Sequence, residues 1–192
     1  MKISILKEAG YLEALYGLGL SYDLTSDISF EDFCNDKDLI TKMRFVSQKL
    51  YDKEGGHNKF LESIYVWIDI TAPRFLHSEI DTYRIGSTKQ SQSTMHTLLK
   101  NPFTQDMFEY PIPQSTLNYL EILRQEKDFM MLKNLLPEGF LQRRIWVVNY
   151  KTLRNVLHQR KNHRLEQWKD FCKFIYANIE HNIYFKDIIE HK

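Results

Sequence analysis

The stretch from Ser63 to Thr71 constrains the fold more than any other part of the chain. Ile64, Val66, Ile68 and Ile70 alternate with Tyr65, Trp67 and Asp69, so one face is wholly aliphatic and the other mixed. A period of two over this length specifies a strand with one face turned into a core. Pro73 comes next, where its missing N–H suits the first turn of a helix, and Leu76, Ile80 and Tyr83 supply that helix's inner stripe.

Other segments read around this pair. Lys2 to Lys7 is a short opening strand with Ile3 and Ile5 on one face. Asp36 to Tyr51 is a helix on the spacing of Leu39, Met43, Val46 and Leu50, stopped by Gly55-Gly56. Gly86 to Gln92 is small and polar and reads as a loop, and Pro102, Pro111 and Pro113 mark an irregular connector. Ser115 to Leu135 reads as one helix carrying Leu117, Leu120 and Leu123, and Gln142 to Val148 as a strand. Asn149 then caps a long final helical region in which Trp168, Cys172, Ile175 and Ile179 continue an apolar stripe. Strands and helices without strict βαβ alternation, and with no linker between them, give an α+β single domain over residues 1–192.

Composition excludes several classes. A net charge of +1 argues against broad, nonspecific nucleic-acid binding. Cys34 and Cys172 lack metal-ligand spacing and read as reduced thiols, and His158 and His163 have no acidic third ligand nearby, so no metal site is expected. The first six residues are interrupted by charge too soon for a signal peptide, and no apolar run approaches a membrane span. The expectation is a cytoplasmic protein without membrane or nucleic-acid partners.

With Asn149 as the start of a helix, Leu153, Val156, Leu157 and Arg160 fall on one side, while Lys151, Asn155, His158 and Asn162 gather on the other. A guanidinium on an apolar face needs an anionic or strongly accepting partner, because an unpaired buried ion is costly. Either Arg160 snorkels from the helix edge to a surface carboxylate, or it projects into a cleft and holds a ligand's oxygens in its planar fork. The run Arg84, Ser87, Thr88, Lys89, Gln90, Ser91, Gln92, Ser93 and Thr94 is a dense row of donors of the kind phosphate accepts, or else a solvated polar loop.

His57 through Thr94 resembles, without a gap, the segment of flavin-dependent thymidylate synthases that ends in an Arg-His-Arg-x-x-Ser signature. His57 and Glu62 match its start, and Arg84-Ile85-Gly86-Ser87 matches the second half of the signature. Leu136-Pro137, Trp146, Val148, Asn149, Leu153, Asn155, Leu157 and Arg160 are similar to the family's second block, and the two blocks stand in family order.

The resemblance implies an α+β homotetramer with a central, mainly antiparallel sheet flanked by long helices and active sites between subunits. It implies FAD as cofactor, dUMP as the pyrimidine deoxynucleotide, and NADPH and methylenetetrahydrofolate as co-substrates in reductive methylation to dTMP. His57 would sit close to the flavin ring, with Arg84, Ile85, Asn149, Lys151 and Asn155 near FAD. Arg160 would contact the uracil, so Arg160 and His57 are the catalytic candidates. Lys133 stands where the family uses an arginine for phosphate. Gln90, Gln92 and Thr94 occupy substrate positions that hold Glu, Ser and Arg in the family, and Glu79 a glutamine position. A shift of register after Ser87 makes Ser93 the second phosphate serine. Thr82 and Tyr83 replace the signature's first arginine and histidine. Two alternatives follow from these replacements: a flavin or nucleotide binder acting on another pyrimidine nucleotide, and a catalytically inactive binding homologue.

Overall fold

The structure is a computed structural model that describes residues 1–53 and 55–190; Glu54, His191 and Lys192 lie outside the described residues. Four strands, β1 (Lys2–Ala9), β2 (Tyr65–Pro73), β3 (Ser87–Ser91) and β4 (Leu141–Asn149), form one sheet in the order β1-β2-β4-β3. The ladder bonds at its ends show antiparallel register. Asn149 N–H donates to Gly86 O and Gln92 N–H to Arg143 O for β3 against β4, while Tyr150 N–H donates to Ile64 O and Arg74 N–H to Phe140 O for β2 against β4. The α+β class and antiparallel sheet agree with the sequence reading.

Ten α-helices accompany the sheet among the described residues: α1 (Tyr11–Leu20), α2 (Phe30–Asn35), α3 (Lys37–Leu50), α4 (Arg74–Ile80) and α5 (Thr94–Thr97), then α6 (Gln114–Gln125), α7 (Phe129–Leu135), α8 (Tyr150–Arg160), α9 (Glu166–Asn178) and α10 (Lys186–Glu190). Contacts group the chain into two compact units. Unit one takes Met1–Ser4, Asp69–Tyr83 and Lys89–Trp146, and unit two Ile5–Ile68, Arg84–Thr88 and the chain from Val147 onward.

In unit two, Ile64, Val66 and Ile68 are fully buried, as their alternation requires, together with Leu153, Val156 and Leu157 of α8 and Trp168, Phe171 and Ile175 of α9. Tyr150, the first residue of α8, is buried and its hydroxyl donates to Glu8, whose carboxylate also accepts from Glu180 N–H at 2.7 Å. Burial raises the pKa of both groups. Unit one buries Ile70, Ala72, Leu76, Ile80, Tyr83 and Trp146, and holds a cluster of Leu98, Phe103, Phe108, Leu117, Leu120, Leu123, Leu132 and Leu136.

Three sequence expectations are corrected. Residues 87–91 form an edge strand rather than a loop. An edge strand needs only backbone pairing on one side, and an all-polar run with a lysine discourages pairing on the other, so no hydrophobic period marks it. The expected helix from Ser115 to Leu135 is two helices. Lys127 adopts φ +59° and the bonds Asp128 N–H to Leu123 O and Lys127 N–H to Arg124 O close α6 as a Schellman motif, after which Asp128 caps Met131 N–H at 3.0 Å. The long final helix is also divided, since α8 ends at Arg160 and α9 starts at Glu166.

Candidate functional site

The two sequence blocks meet in unit two at the N-terminus of α8. Asn149 caps the helix by accepting Thr152 N–H at 2.8 Å, and its own N–H donates to Gly86 O at 2.9 Å. Thr152 Oγ1 donates to Ile85 O at 2.8 Å. Gly86 sits at φ +61°, and a Cβ there would stand 2.2 Å from Asn149 Nδ2, so conformation and space both demand glycine. The first turn of α8 therefore clasps the Arg84–Ser87 loop by its backbone. Arg84 is left exposed and the Ile85 side chain is 87% exposed on a main chain fixed at two successive carbonyls.

The His57 segment reaches the same helix end. Tyr150 N–H bonds Ile64 O at 2.8 Å, and Lys151 Nζ pairs with Glu62 at 2.6 Å. That pair is open to solvent and worth about 0–1 kcal/mol, so it orients Lys151 more than it stabilises the fold. Exposed His57 lines a hollow of about 580 Å³ with Glu13, Tyr22, Lys59 and Glu62. Asn155 is exposed one turn along α8, where its side-chain oxygen accepts from Gln159 at 3.0 Å. Arg160 is not part of this cluster. It closes the opposite end of α8, roughly 16 Å along the axis from Asn149, with its guanidinium carbon 5.0 Å from the ring centre of Trp168.

In unit one the polar row divides by environment. Gln90, Gln92 and Ser93 are exposed, whereas Thr94 is buried and its hydroxyl accepts from Lys133 Nζ of α7 across 39 residues of chain. The lysine and threonine assigned to phosphate by resemblance thus sit together. Gln92 is held through its carbonyl by Gln142 Nε2 at 2.5 Å, and Gln90 and Gln92 line a shallow hollow of about 400 Å³ with Arg143, Arg144 and Ile145. Glu79 is half-buried on α4, and Lys89 Nζ donates to Tyr83 O.

Sequence reasoning did not single out Arg143 and Arg144. Arg143 grips Asp69 through two nitrogens at 2.5–3.1 Å and holds that carboxyl below its usual range, and Arg144 pairs with Asp81 at 2.8 Å. Two adjacent arginines inside a strand were the available signal. Beneath them His77 is fully buried with Nε2 2.7 Å from Gln142 O, the nitrogen that donates, and burial pushes its pKa down to about 4. It is a neutral structural histidine at neutral pH. No group of three or more His, Cys, Asp or Glu with metal-binding geometry occurs among the described residues, and no helix among them is long and apolar enough to cross a membrane.

With this geometry in place, known structures offer a comparison. A structure of thymidylate synthase X from Helicobacter pylori with FAD and dUMP matches with a TM-score of 0.78 at 19% identity, covering 100% of both chains. The chain has the fold of a flavin-dependent thymidylate synthase. A second structure of the Helicobacter pylori enzyme complexed with FAD and dUMP gives 0.75 at 19% identity over 98% of this chain and 99% of that one. A UMP/dUMP methylase from Streptomyces cacaoi, bound with 5-Br dUMP, gives 0.66 at 11% identity over 92% and 88%. No protein-family model matches the chain, and no curated protein does.

Proposed function

We propose that this chain is a flavin-dependent methylase of a pyrimidine deoxynucleotide, converting dUMP to dTMP with FAD, NADPH and methylenetetrahydrofolate, and that it works as a homotetramer. The observation that carries the reading is the clasp. Two blocks that resemble one family's signature from the sequence are tied together by Asn149, Thr152 and Gly86, in a chain whose whole length takes that family's fold.

The donor set in unit two suits a flavin dinucleotide. Arg84 and Lys151 offer cationic donors to a pyrophosphate, Asn155 offers an amide, and the open Ile85 offers apolar surface beside them. In this reading Asn149 positions the loop, and His57 lies at the flavin edge. Reduced FAD, when bound, supplies hydride, so no cysteine nucleophile is required. Lys133 and Thr94, with Ser93, Gln92 and Gln90 along the strand and Glu79 on α4, serve the nucleotide's phosphate and sugar. Arg160 serves the uracil, whose carbonyls accept in-plane N–H bonds from a guanidinium.

The test is direct. Purified protein loaded with FAD should show flavin absorbance, oxidise NADPH, and methylate dUMP when methylenetetrahydrofolate is supplied. Protein that retains no flavin and makes no dTMP defeats the proposal. A second reading, action on another pyrimidine nucleotide, is favoured by Gln90, an exposed amide that can donate as well as accept where a carboxylate only accepts. Calorimetry across uridine and cytidine mono- and deoxymononucleotides separates the two, and tightest binding of dUMP removes the second.

A further inference from the structure

We propose that Gln142 is a positioning residue for the phosphate-binding turn, holding Gln92 so that its side chain presents only donors to the ligand. The inference rests on the assignment of Gln92, Ser93 and Thr94 to the nucleotide's phosphate. Gln92 is the first residue after β3, and Gln142 is the second residue of β4, the strand that pairs with β3. Gln142 Nε2 donates to Gln92 O at 2.5 Å, which ties the turn to the sheet just beyond the last residue of the edge strand. The peptide that follows is planar and trans, so pinning this carbonyl aims the Ser93 N–H away from Gln142.

The amide of Gln142 has one workable orientation. Gln92 O can only accept, and the Arg144 guanidinium can only donate. The nitrogen therefore faces the carbonyl, and Oε1 faces Arg144 Nη2 at 3.4 Å. Arg144 is held in turn by Asp81, with Nη1 2.8 and 2.9 Å from the two carboxylate oxygens. The main chain of Gln142 is anchored from below, where its carbonyl accepts from Nε2 of the fully buried His77 at 2.7 Å.

The same reasoning fixes Gln92. Its N–H donates to Arg143 O at 2.8 Å, and its Oε1 accepts from Arg143 N–H at a longer 3.4 Å. With the carbonyl held by Gln142, every polar group of Gln92 except Nε2 is engaged by β4. Gln92 is exposed, and among the described residues its Nε2 has no partner. An amide that shows only its NH2 group favours an acceptor-only ligand group such as a phosphate oxygen. Two residues on, Thr94 Oγ1 accepts from Lys133 Nζ, so its own hydroxyl proton is directed away from the lysine. The turn thus shows donors on a frame set by Gln142.

The experiment compares dUMP and deoxyuridine affinity by calorimetry on FAD-loaded full-length protein, with melting temperature in parallel. Gln142→Met keeps the side-chain length and loses both hydrogen bonds. It should weaken dUMP about threefold to tenfold, the range one hydrogen bond supplies. Deoxyuridine, which lacks the phosphate, should change by less than about twofold. Gln142→Glu should weaken dUMP at least as much, since it keeps the arginine pair but sets an acceptor against the Gln92 carbonyl. Equal weakening of dUMP and deoxyuridine, or a folded Gln142→Glu with wild-type dUMP affinity, overturns the proposal. Amide exchange decides independently of any nucleotide. The Gln92 N–H should exchange faster in Gln142→Met while the amides of residues 85–87 keep wild-type rates; an unchanged Gln92 rate overturns it. Protein that shows both differences yet makes no dTMP refutes the proposed function and leaves the role of Gln142 standing.

Discussion

The clasp in unit two and the polar row in unit one are built on opposite plans. At the clasp, the residues that define the site are backbone carbonyls, a capping asparagine and a glycine with no room for a methyl group, while the exposed side chains merely ride on that frame. In the polar row the exposed side chains of Gln90, Gln92 and Ser93 are themselves the proposed ligand contacts, carried on an edge strand and the two residues after it, where backbone pairing is indifferent to what they are. A frame of the first kind tolerates little change, and one of the second kind can be rewritten. The replacements relative to the family resemblance fall on both sides: Arg84, Ser87, Asn149 and Asn155 match and Lys151 replaces an arginine in unit two, while Gln90, Gln92 and Thr94 are all replacements in unit one. Under the proposed function, substrate choice is the property most open to divergence.

Substitutions sharpen or break this contrast. Gly86→Ala should have the largest effect, lowering stability by about 2–5 kcal/mol from the left-handed φ and the collision with Asn149, with loss of FAD binding; denaturant unfolding and a flavin titration measure both. A smaller loss in an Asn149→Ala background would identify the collision as the cause.

Unit one has a buried determinant of its own in His77. Its folded pKa, about 4, lies below the ordinary 6.5, so the neutral form is the one folding prefers. Its contribution is complete above pH 6.5 and is lost as pH falls from 6.5 towards 4, reaching on the order of 3 kcal/mol below that range. Unfolding as a function of pH should show this slope in wild type and not in His77→Gln. An identical slope in both proteins would assign it to other groups.

Asn149→Ala alone should cost about 1–2 kcal/mol through the lost cap and loosen the Arg84–Ser87 loop, seen as faster amide exchange at residues 85–87. Gln90→Ala and Gln92→Ala should change stability by no more than about 0.5 kcal/mol, being surface substitutions, while altering nucleotide preference. If either unfolds the protein as severely as Gly86→Ala, the distinction between frame and surface fails.

The sequence disclosed the parts whose chemistry repeats. The β2 alternation, the α8 stripe of Leu153, Val156 and Leu157, and the Asn149 cap were each legible because burial and capping select residue types at fixed spacing. Strand β3 was not, since an edge strand imposes no apolar period. The break after Arg160 was also hidden: His163 and Leu165 close that turn through a ring nitrogen and backbone groups, without glycine or proline to announce it. The contact of Lys133 with Thr94 was not legible locally, because the 38 residues between them carry no sign of it; family resemblance only gave both a phosphate role.

The central claim is best tested by incubating FAD-loaded protein with dUMP, NADPH and methylenetetrahydrofolate and determining the mass of the nucleotide recovered. The account expects dTMP, heavier than dUMP by one methyl group in place of a hydrogen, formed only when all components are present. Recovery of unchanged dUMP from protein that binds both FAD and dUMP would contradict it.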